Sequence, residues 1–305
     1  MKQLFNKTAF VTGGASGIGL AIARAFLNNR MNVVIADVRQ DHLDAAKAEF
    51  SDRQDRAAFL RLDVADRKAM AEAANEAERL FGNIHVLCNN AGIGDGVPMD
   101  RASYEDWDWV LNVNLGGVIN GIVTFVPRIK AHGEGGHIVN TASMHSFLAL
   151  PSWGGIYSAS KFAVRGLSES LRLALAPFNI GVSVLCPGLV STNIGESVTL
   201  RPARIDSNPV PPEPLDPTAQ ITPPPAGSGM DPAEVAERVL RGIQHNDFYI
   251  FSHGEHKDEL RELFDEILAA VPAPQRIDAG RLAFEHERRQ KTAAAKALMP
   301  PGGEF

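Results

Sequence analysis

The 305-residue sequence contains little cysteine, and charge of neither sign dominates it. Its two cysteines, Cys88 and Cys186, are too few for a disulfide framework, and both lie in apolar runs. We therefore expect buried free thiols in a reducing compartment. The formal net charge of −6 argues against a protein dedicated to nucleic-acid binding, and we predict no such partner.

Long apolar runs are also scarce. The first, Ala9–Val11, is too short for the apolar region of a signal peptide, and no segment resembles a membrane span. We expect a cytoplasmic protein that does not act at a membrane. Hydrophobic residues make up 45% of the chain and charged residues 22%, which excludes general disorder.

Proline is concentrated in one stretch. Ten of the 19 prolines lie between Pro202 and Pro232, where they exclude an ordinary helix or a central strand. Residues 196–230 are also enriched in glycine, serine and threonine. This composition predicts a long loop or a mobile lid.

Short apolar runs alternate with longer amphipathic segments as far as about Pro187. The predicted strands are Thr8–Thr12, Asn32–Asp37, Ala57–Leu62, Ile84–Asn89, His137–Ala142 and Gly181–Cys186. The clearest predicted helices are Ile18–Leu27, Asp66–Phe81 and Ile156–Ala176. The alternation predicts an α/β fold, a Rossmann-like doubly wound parallel sheet with helices on both faces.

Beyond the proline-rich stretch the helical pattern returns. Asp231 suits a helix N-cap, Phe248–Phe251 is a predicted strand, and Glu255–Val271 has one apolar helical face. We predict a single domain with four parts: a dinucleotide-binding and catalytic core over 1–195, a Pro-rich substrate lid over 196–230, a final core helix and strand over 231–254, and a C-terminal helical extension over 255–305.

A glycine-rich turn joins the first predicted strand to the first predicted helix. Gly13 permits the turn, Gly17 lets the backbone approach a pyrophosphate, and Gly19 lets the helix pack closely on the sheet. Backbone N–H groups and the helix dipole would face the anion. This strand–turn–helix context predicts dinucleotide binding.

The end of the second predicted strand indicates which dinucleotide is bound. A carboxylate at Asp37 accepts hydrogen bonds from both ribose hydroxyls of NAD and repels the 2′-phosphate of NADP. Arg39 lies close by and is able to bind that phosphate, so the opposing interpretation is a preference for NADP. We predict NAD as the cofactor.

Polar motifs follow the later strands, where ligands bind in open α/β sheets. Asn89–Gly92 ends the fourth strand, Ser143 follows the fifth, and Tyr157 opens a helix. Tyrosine, with an ordinary pKa of about 10, is a poor base at neutral pH. Lys161 lies one helical turn further on, where its charge favours tyrosinate. Ser143 is suited to hydrogen-bond a substrate oxygen.

Together these motifs, over residues 4–195, resemble the short-chain dehydrogenase/reductase family. The resemblance implies hydride transfer and a catalytic tetrad of Asn114, Ser143, Tyr157 and Lys161, with Asn114 holding a water that relays protons from Lys161. It implies no metal. The cofactor-binding residues that it implies are Gly13, Ser16, Gly17, Ile18, Gly19, Asp37, Asp63, Val64, Asn90, Ala91, Gly92, Tyr157, Lys161, Pro187, Gly188, Val190 and Thr192.

The predicted substrate pocket is largely apolar and partly aromatic, which favours a bulky aryl or hydrophobic alcohol. We expect His145 to line it or to bond the substrate, and we interpret Trp107 and Trp109 as core or subunit contacts. The candidate walls are Ser143, Met144, His145, Phe147, Leu148, Trp153, Ile194 and the loop that follows.

A narrower resemblance concerns Val118–Arg128, Leu200–Ala203 and the long C-terminal extension. These segments look like a subgroup of bacterial dehydrogenases that includes the NAD-dependent Cα-dehydrogenases of lignin β-aryl ether breakdown. The resemblance implies oxidation of a benzylic secondary alcohol. The broader family resemblance implies a homodimer or homotetramer, built by pairing the helices that contain Asn114 and Tyr157.

Other interpretations remain open at the level of sequence. One is an NADPH-type 3-oxoacyl or carbonyl reductase of the same family, against which Asp37 speaks. Another is a non-catalytic NAD-binding protein, although all four tetrad positions are intact. The helix Glu255–Val271 is able to cover the pocket, to reach a neighbouring subunit or to pack on its own subunit, which we favour slightly.

Overall fold

The computed structural model describes residues 1, 3–94, 96–150, 154–202, 227–273 and 278–298. Within them the strands form one parallel sheet in the order β3-β2-β1-β4-β5-β6-β7. The strands are β1 (Thr8–Thr12), β2 (Asn32–Asp37), β3 (Ala57–Arg61), β4 (Val86–Asn89), β5 (Gly136–Thr141), β6 (Ile180–Cys186) and β7 (Tyr249–Phe251). The sequence predicted each of them, with ends displaced by one or two residues at most.

Helices cover both faces of this sheet, as the sequence predicted. They are α1 (Gly17–Asn28), α2 (Gln40–Glu49), α3 (Arg67–Phe81), α4 (Tyr104–Leu111), α5 (Gly117–His132), α6 (Gly155–Leu175), α7 (Pro232–His245), α8 (Lys257–Ala269) and α9 (Ala279–Ala297). Asp231 caps α7 by accepting a hydrogen bond from the Ala233 amide at 2.8 Å. The fold is therefore a Rossmann-like doubly wound domain.

The strands supply alternate side chains to two hydrophobic clusters, one on each face of the sheet. Along β1, Val11 joins the cluster under α1 and α7, whereas Phe10 joins the cluster under α3 and α5. Cys88 and Cys186 are buried free thiols, as predicted, and burial raises the pKa of Cys186 to about 12. Because helices cover both faces of the sheet, polar side chains next to the strands lie at its two edges. We call these the amino edge, where the strands begin, and the carboxyl edge, where they end.

One helical run has the length and composition of a membrane span, which the sequence interpretation did not foresee. It extends over Tyr104–His132 and joins α4, a π-helical turn (Asn112–Gly116) and α5. Within it, Phe125 and Ile129 are fully buried in the cluster against the sheet. One face of the run therefore packs against the sheet, and 39% of its apolar stretch is buried.

The C-terminal extension packs on its own subunit through one side of α8. Leu260 and Leu263 lie against the cluster around Val184, and the Phe264 ring lies 6.4 Å from that of Phe147. No residue of α8 or α9 is fully buried. The predicted lid lies mostly outside the described residues, as do Trp153 and residues 274–277 and 299–305.

Candidate active site

A cavity of about 330 Å³ opens at the carboxyl ends of the strands. It runs from the end of β2 to the start of α6 and the loop after β6, so the edge predicted for ligand binding is the edge that holds the cavity. The predicted residues that line it are Gly13, Ser16, Gly17, Ile18, Asp37, Asp63, Val64, Asn90, Ala91, Gly92, Tyr157, Lys161, Pro187, Thr192 and Ile194.

The glycine loop forms a cradle that side chains would fill. Gly13 and Gly17 have φ angles of +60° and +52°, which favour glycine. A Cβ on Gly13 would lie 2.8 Å from the Ala91 Cα, and one on Gly17 would lie 3.2 Å from the Thr192 Cγ2. Gly19 packs behind the loop, where a Cβ would meet the Gly13 carbonyl oxygen at 2.0 Å. The space fits a pyrophosphate approached by main-chain amides.

Asn90 holds this cradle from β4. Its Nδ2 donates to the carbonyl oxygens of Thr12 and Gly13, each at 3.2 Å. In return, the Thr12 Oγ1 accepts hydrogen bonds from the amides of Asn90 and Ala91 at 3.0 and 3.1 Å. Asn90 thus supports the pocket by fixing the start of the glycine loop.

Asp37 lies at the other end of the cavity with its carboxylate largely buried. One oxygen accepts a hydrogen bond from the Ala15 amide at 3.2 Å, and the other accepts from the Arg39 amide at 3.1 Å. Asp63 and Val64, which follow β3, line the same end. These contacts place a fixed negative charge where the predicted adenosine ribose would bind.

The Arg39 guanidinium is paired with carboxylates on both sides. It contacts Asp41 and Glu196, each at 2.5 Å, and both hydrogen bonds raise its pKa. Glu196 belongs to a 3-10 helix, Ile194–Leu200, which we call the strap and which lines the cavity through Ile194, Glu196, Ser197 and Leu200. The strap is also held where the Ser197 Oγ accepts from the Gly94 amide at 3.2 Å.

Lys161 is buried at the catalytic end of the cavity. Its Nζ donates to the Thr141 carbonyl oxygen at 3.0 Å and lies 5.4 Å from the centre of the Tyr157 ring. Loss of hydration lowers its pKa to about 8. A Cβ on Gly92 would lie 3.3 Å from this nitrogen, so the absence of a side chain there leaves room for the ammonium group.

Asn114 lies in the π-helical turn and is fully buried behind Gly92. Its Oδ1 accepts from the Ile93 amide at 2.8 Å, and its Nδ2 donates to the Ile93 carbonyl and to the Ser160 Oγ. Ser160 in turn donates to the Tyr157 carbonyl oxygen at 2.6 Å. The Asn114 side chain therefore links the wall of the cavity to the first turn of α6; the predicted water relay stays a prediction.

Ser143 is buried directly after β5, between the lining residues Ala142 and Pro187. Its Oγ accepts from the His145 amide at 3.1 Å and lies 3.5 Å from the Pro187 carbonyl oxygen. The His145 ring centre lies 6.4 Å from that of Tyr157, and burial lowers the His145 pKa. Tyr157 and Lys161 line one end of the cavity, whereas Ser143 and Asn114 are buried near that end and are not among the lining residues.

The predicted substrate walls divide into two groups. Ile194 lines the cavity, whereas Ser143, Met144, His145, Phe147 and Leu148 are not among its lining residues. The Phe147 ring lies 5.7 Å from that of Phe251 and 4.2 Å from the Arg165 guanidinium. Met144 is fully buried beside it. β7 and α8 cover the turn after Ser143, and the Phe147 ring packs in the core between them.

Several lining residues were missed by sequence reasoning. Trp109, interpreted as a core or subunit contact, lines the cavity together with Val113, four residues further along the helical run. That spacing places both side chains on one helical face and was the available signal. The other lining residues that were missed are Val38, His42, Leu62, Ile93, Thr141, Ala142 and Asn193. Arg39 was expected near the cofactor, and Glu196, Ser197 and Leu200 belong to the loop after Ile194 that was expected near the substrate. Gly188 and Val190 lie in the loop after β6 but outside the lining.

Comparisons with known proteins agree with this architecture. The family model for short chain dehydrogenases matches residues 7–202. A C alpha-dehydrogenase of Sphingobium sp. strain SYK-6 is 38% identical over 281 residues, covering 91% of this chain and 90% of the relative. A 3beta-hydroxysteroid dehydrogenase 2 of Eggerthella lenta is 37% identical over 193 residues, covering 63% and 74%.

A solved structure shows the same fold with a dinucleotide. The short chain dehydrogenase/reductase of Burkholderia phymatum, in complex with NAD, superposes with a TM-score of 0.81. It is 32% identical and the match covers 91% of this chain and all of that one. Family model, relatives and fold agree, and the chain belongs to the short-chain dehydrogenase family of oxidoreductases.

Proposed function

We propose that the protein is an NAD-dependent alcohol dehydrogenase that interconverts a bulky hydrophobic secondary alcohol, aryl or benzylic, and its ketone. The observation that carries the proposal is the placement of Tyr157 and Lys161 at one end of a single cavity whose other end is fixed by Asp37. That arrangement supplies a proton path at the reacting end and ribose recognition at the other.

The residues of the cavity fit a nicotinamide dinucleotide. Gly13 and Gly17 would hold the pyrophosphate, Asp37 the adenosine ribose, and Pro187 and Thr192 the nicotinamide end. When bound, the cofactor supplies the acceptor for hydride in alcohol oxidation and the donor in the reverse direction.

The protein itself provides the acid–base chemistry. Tyr157 removes the hydroxyl proton of the alcohol during oxidation and returns it during reduction. The buried positive charge of Lys161, 5.4 Å from the ring centre, stabilises the tyrosinate form. Ser143 donates a hydrogen bond to the substrate oxygen as negative charge develops on it, which stabilises the transition state more than the ground state.

The preference for NAD rests on two charges. Asp37 opposes the 2′-phosphate of NADP, and Arg39, the group able to serve that phosphate, is held by Asp41 and Glu196. A phosphate would have to compete with both carboxylates for the guanidinium. These observations support NAD over NADP.

The preference for an aryl substrate rests on the apolar side of the cavity. Trp109 and Val113 line it from the helical run, Ile93 lines it from the segment after β4, and Ile194 and Leu200 line it from the strap. An aromatic or similarly bulky group would bury its surface there. The C alpha-dehydrogenase of Sphingobium supports a benzylic alcohol, whereas the Eggerthella relative favours a steroid alcohol as the second candidate.

A panel of aryl, steroidal and aliphatic secondary alcohols, assayed with NAD and NADP in parallel by absorbance of the reduced cofactor, tests the proposal. We expect the highest kcat/KM for a benzylic alcohol with NAD. No turnover of any benzylic alcohol together with good turnover of a steroid would move the substrate to the second candidate. Equal or better efficiency with NADP would reject the cofactor preference.

We also propose a homo-oligomer built on α5 and α6. Ile119 and Val123 on α5 are exposed at 45% and 68%, and Phe162 on α6 at 38%. Exposed apolar side chains on these helices support pairing with a second copy. Light scattering coupled to size-exclusion chromatography measures the subunit count, and replacing Val123 with Glu should produce the monomer.

A further inference from the structure

The loop that follows β6 is held from the C-terminal part of the chain by the His253 imidazole and by Met230, whose amide donates to the Leu189 carbonyl oxygen at 3.0 Å. His253, which comes shortly after β7, accepts a hydrogen bond from the Gly188 amide at its Nδ1, at 3.1 Å. Its Nε2 lies 2.9 Å from the Leu189 carbonyl oxygen. The Ser252 hydroxyl lies 2.6 Å from the same Nδ1. Both ring nitrogens of a buried histidine are therefore used on adjacent residues of one loop.

These partners define the form of the ring. An amide N–H only donates and a carbonyl oxygen only accepts, so Nδ1 carries the lone pair and Nε2 the proton. The neutral His253 imidazole matches the Gly188 amide and the Leu189 carbonyl at the same time. Few side chains offer an acceptor and a donor at this separation, and the half-buried Gly188 amide has the His253 Nδ1 as its acceptor.

The held loop leads directly to the catalytic serine. The Pro187 carbonyl oxygen, one residue before Gly188, accepts a hydrogen bond from the Met144 amide at 2.8 Å. The same oxygen lies 3.5 Å from the Ser143 Oγ. A shift of the loop would therefore move the groups that orient Ser143, as well as the Pro187 wall of the cavity.

Steric crowding on the loop agrees with this contact. A Cβ on Gly188 would lie 2.8 Å from the His253 Cγ and 3.0 Å from the His256 Nε2. The segment that leads into α8 thus packs directly against the loop. The close approach of two imidazole rings, rather than an unusual φ angle, explains why residue 188 is glycine.

We propose that His253 is a positioning residue for the reaction at Ser143: it fixes the Pro187–Leu189 loop through both ring nitrogens and so couples the C-terminal segment to the catalytic end of the cavity. This inference rests on the proposed function for its kinetic consequence. The hydrogen bonds themselves are independent of which substrate is used.

Variants that keep one half of the contact test the proposal. His253→Asn retains an acceptor near the position of Nδ1, His253→Gln retains a donor near that of Nε2, and His253→Ala removes both. The matched control is His132→Ala, a half-buried histidine whose Nε2 lies 3.0 Å from the Ile84 carbonyl oxygen at the far edge of the sheet. Each variant is measured for kcat, KM, NADH affinity by fluorescence titration and melting temperature.

We expect His253→Ala to lower kcat at least tenfold while the Kd for NADH changes less than threefold. The asparagine variant should recover more of kcat than the glutamine variant, because an unpaired buried amide N–H is costlier than an under-used carbonyl. The control should retain its kcat. Normal kcat in folded His253→Ala, or losses that follow melting temperature alone in all variants, would overturn the proposal.

Two provisions keep the test decisive. If the alanine variant does not fold, the glutamine and asparagine variants are compared. A folded glutamine variant with normal kcat overturns the proposal. A lowered kcat in the glutamine variant, together with a higher kcat in the asparagine variant, supports it. If the wild-type protein turns over no alcohol of the panel, the proposed function fails, and hydrogen exchange decides the inference separately. The peptide over Pro187–Leu189 should then exchange faster in His253→Gln than in wild type; unchanged exchange would reject the clamp.

Discussion

Both edges of the parallel sheet carry buried ionisable side chains, but the two edges use them differently. At the carboxyl edge, Lys161 is desolvated beside a cavity and has a pKa of about 8. At the amino edge, where the strands begin, burial lowers the pKa of His137 further, to about 3. The His137 Nε2 lies 2.7 Å from the Ser183 Oγ, and the ring does not line the cavity.

The comparison shows that a shifted pKa alone does not mark a functional site. At the amino edge, Glu134 receives hydrogen bonds from Lys7 and Asn83 and contacts His85, so that its charge is paired with protein groups although the side chain is 43% exposed. At the carboxyl edge, loops diverge and leave a cavity between the charges. A chemical role is assigned to ionisable groups whose pKa is shifted and that also face this cavity.

The largest expected effect is at the carboxyl edge. Replacing Tyr157 with Phe removes the acid–base hydroxyl and should lower kcat by roughly 10²–10⁴-fold. The Kd for NADH and the melting temperature should stay near their wild-type values. Tyr249→Phe is the matched control, since its hydroxyl donates to Glu169 at 2.8 Å, outside the cavity. Preserved turnover in Tyr157→Phe would refute the assignment of the base.

At the amino edge, a substitution should change the stability of the protein rather than its catalysis. His137 binds a proton near pH 6.5 when unfolded but only near 3 when folded, so stability is lost as the pH falls below about 6.5. Between about pH 7.5 and pH 5 this residue costs about 2 kcal/mol of unfolding free energy. His137→Gln should remove that part of the pH dependence and leave NADH affinity unchanged. Denaturant titrations at the two pH values measure it, and an unaltered pH dependence would contradict the linkage.

A smaller effect separates charge from structure at Asp37. Asp37→Ala should lower the ratio of kcat/KM with NAD to kcat/KM with NADP by about tenfold. The reason is that the variant loses both the repulsion of the NADP phosphate and a charge-assisted hydrogen bond to the ribose of NAD. Asp37→Asn keeps an acceptor for one amide without the charge. If its ratio matched wild type, the carboxylate charge would not be the determinant. Steady-state kinetics with both cofactors give the ratio.

The smallest effect concerns the strap. Glu196→Gln removes one of the carboxylates that hold Arg39, and an exposed ion pair contributes only about 0.2–1 kcal/mol. We expect the Kd for NADPH to fall by up to about fivefold and that for NADH to stay constant. Glu49→Gln, which breaks a similar pair with Arg24 at 2.7 Å, is the control. A rise in the NADPH Kd would show that Glu196 does not restrain Arg39.

Much of the carboxyl edge could be predicted because its parts are local. The glycine loop lies within one strand, turn and helix, so Gly13 and Gly17 come together whatever the rest of the chain does. Tyr157 and Lys161 share a helical face for the same reason. Strand positions followed from apolar runs that are buried on both sides of the sheet.

Contacts across long stretches of sequence could not be predicted in this way. Aromatic character indicated that Phe147 packs against something apolar, but the choice between cavity and core depended on where β7 and α8 lie. Trp109, interpreted as a core or subunit contact, both packs against a small hydrophobic cluster and lines the cavity. The lowered pKa of His137 follows chiefly from its burial between strands.

The sequence by itself determined the family, the parallel arrangement of the strands and the pairing of a tyrosine with a lysine, because local spacing and periodicity carry that information. Only the tertiary structure decided that Glu196 holds Arg39 and that His253 holds the loop at Gly188. These partners are separated by 157 and 65 positions along the chain. No local pattern encodes such pairs, since they form only when the packing of the whole domain brings their segments together.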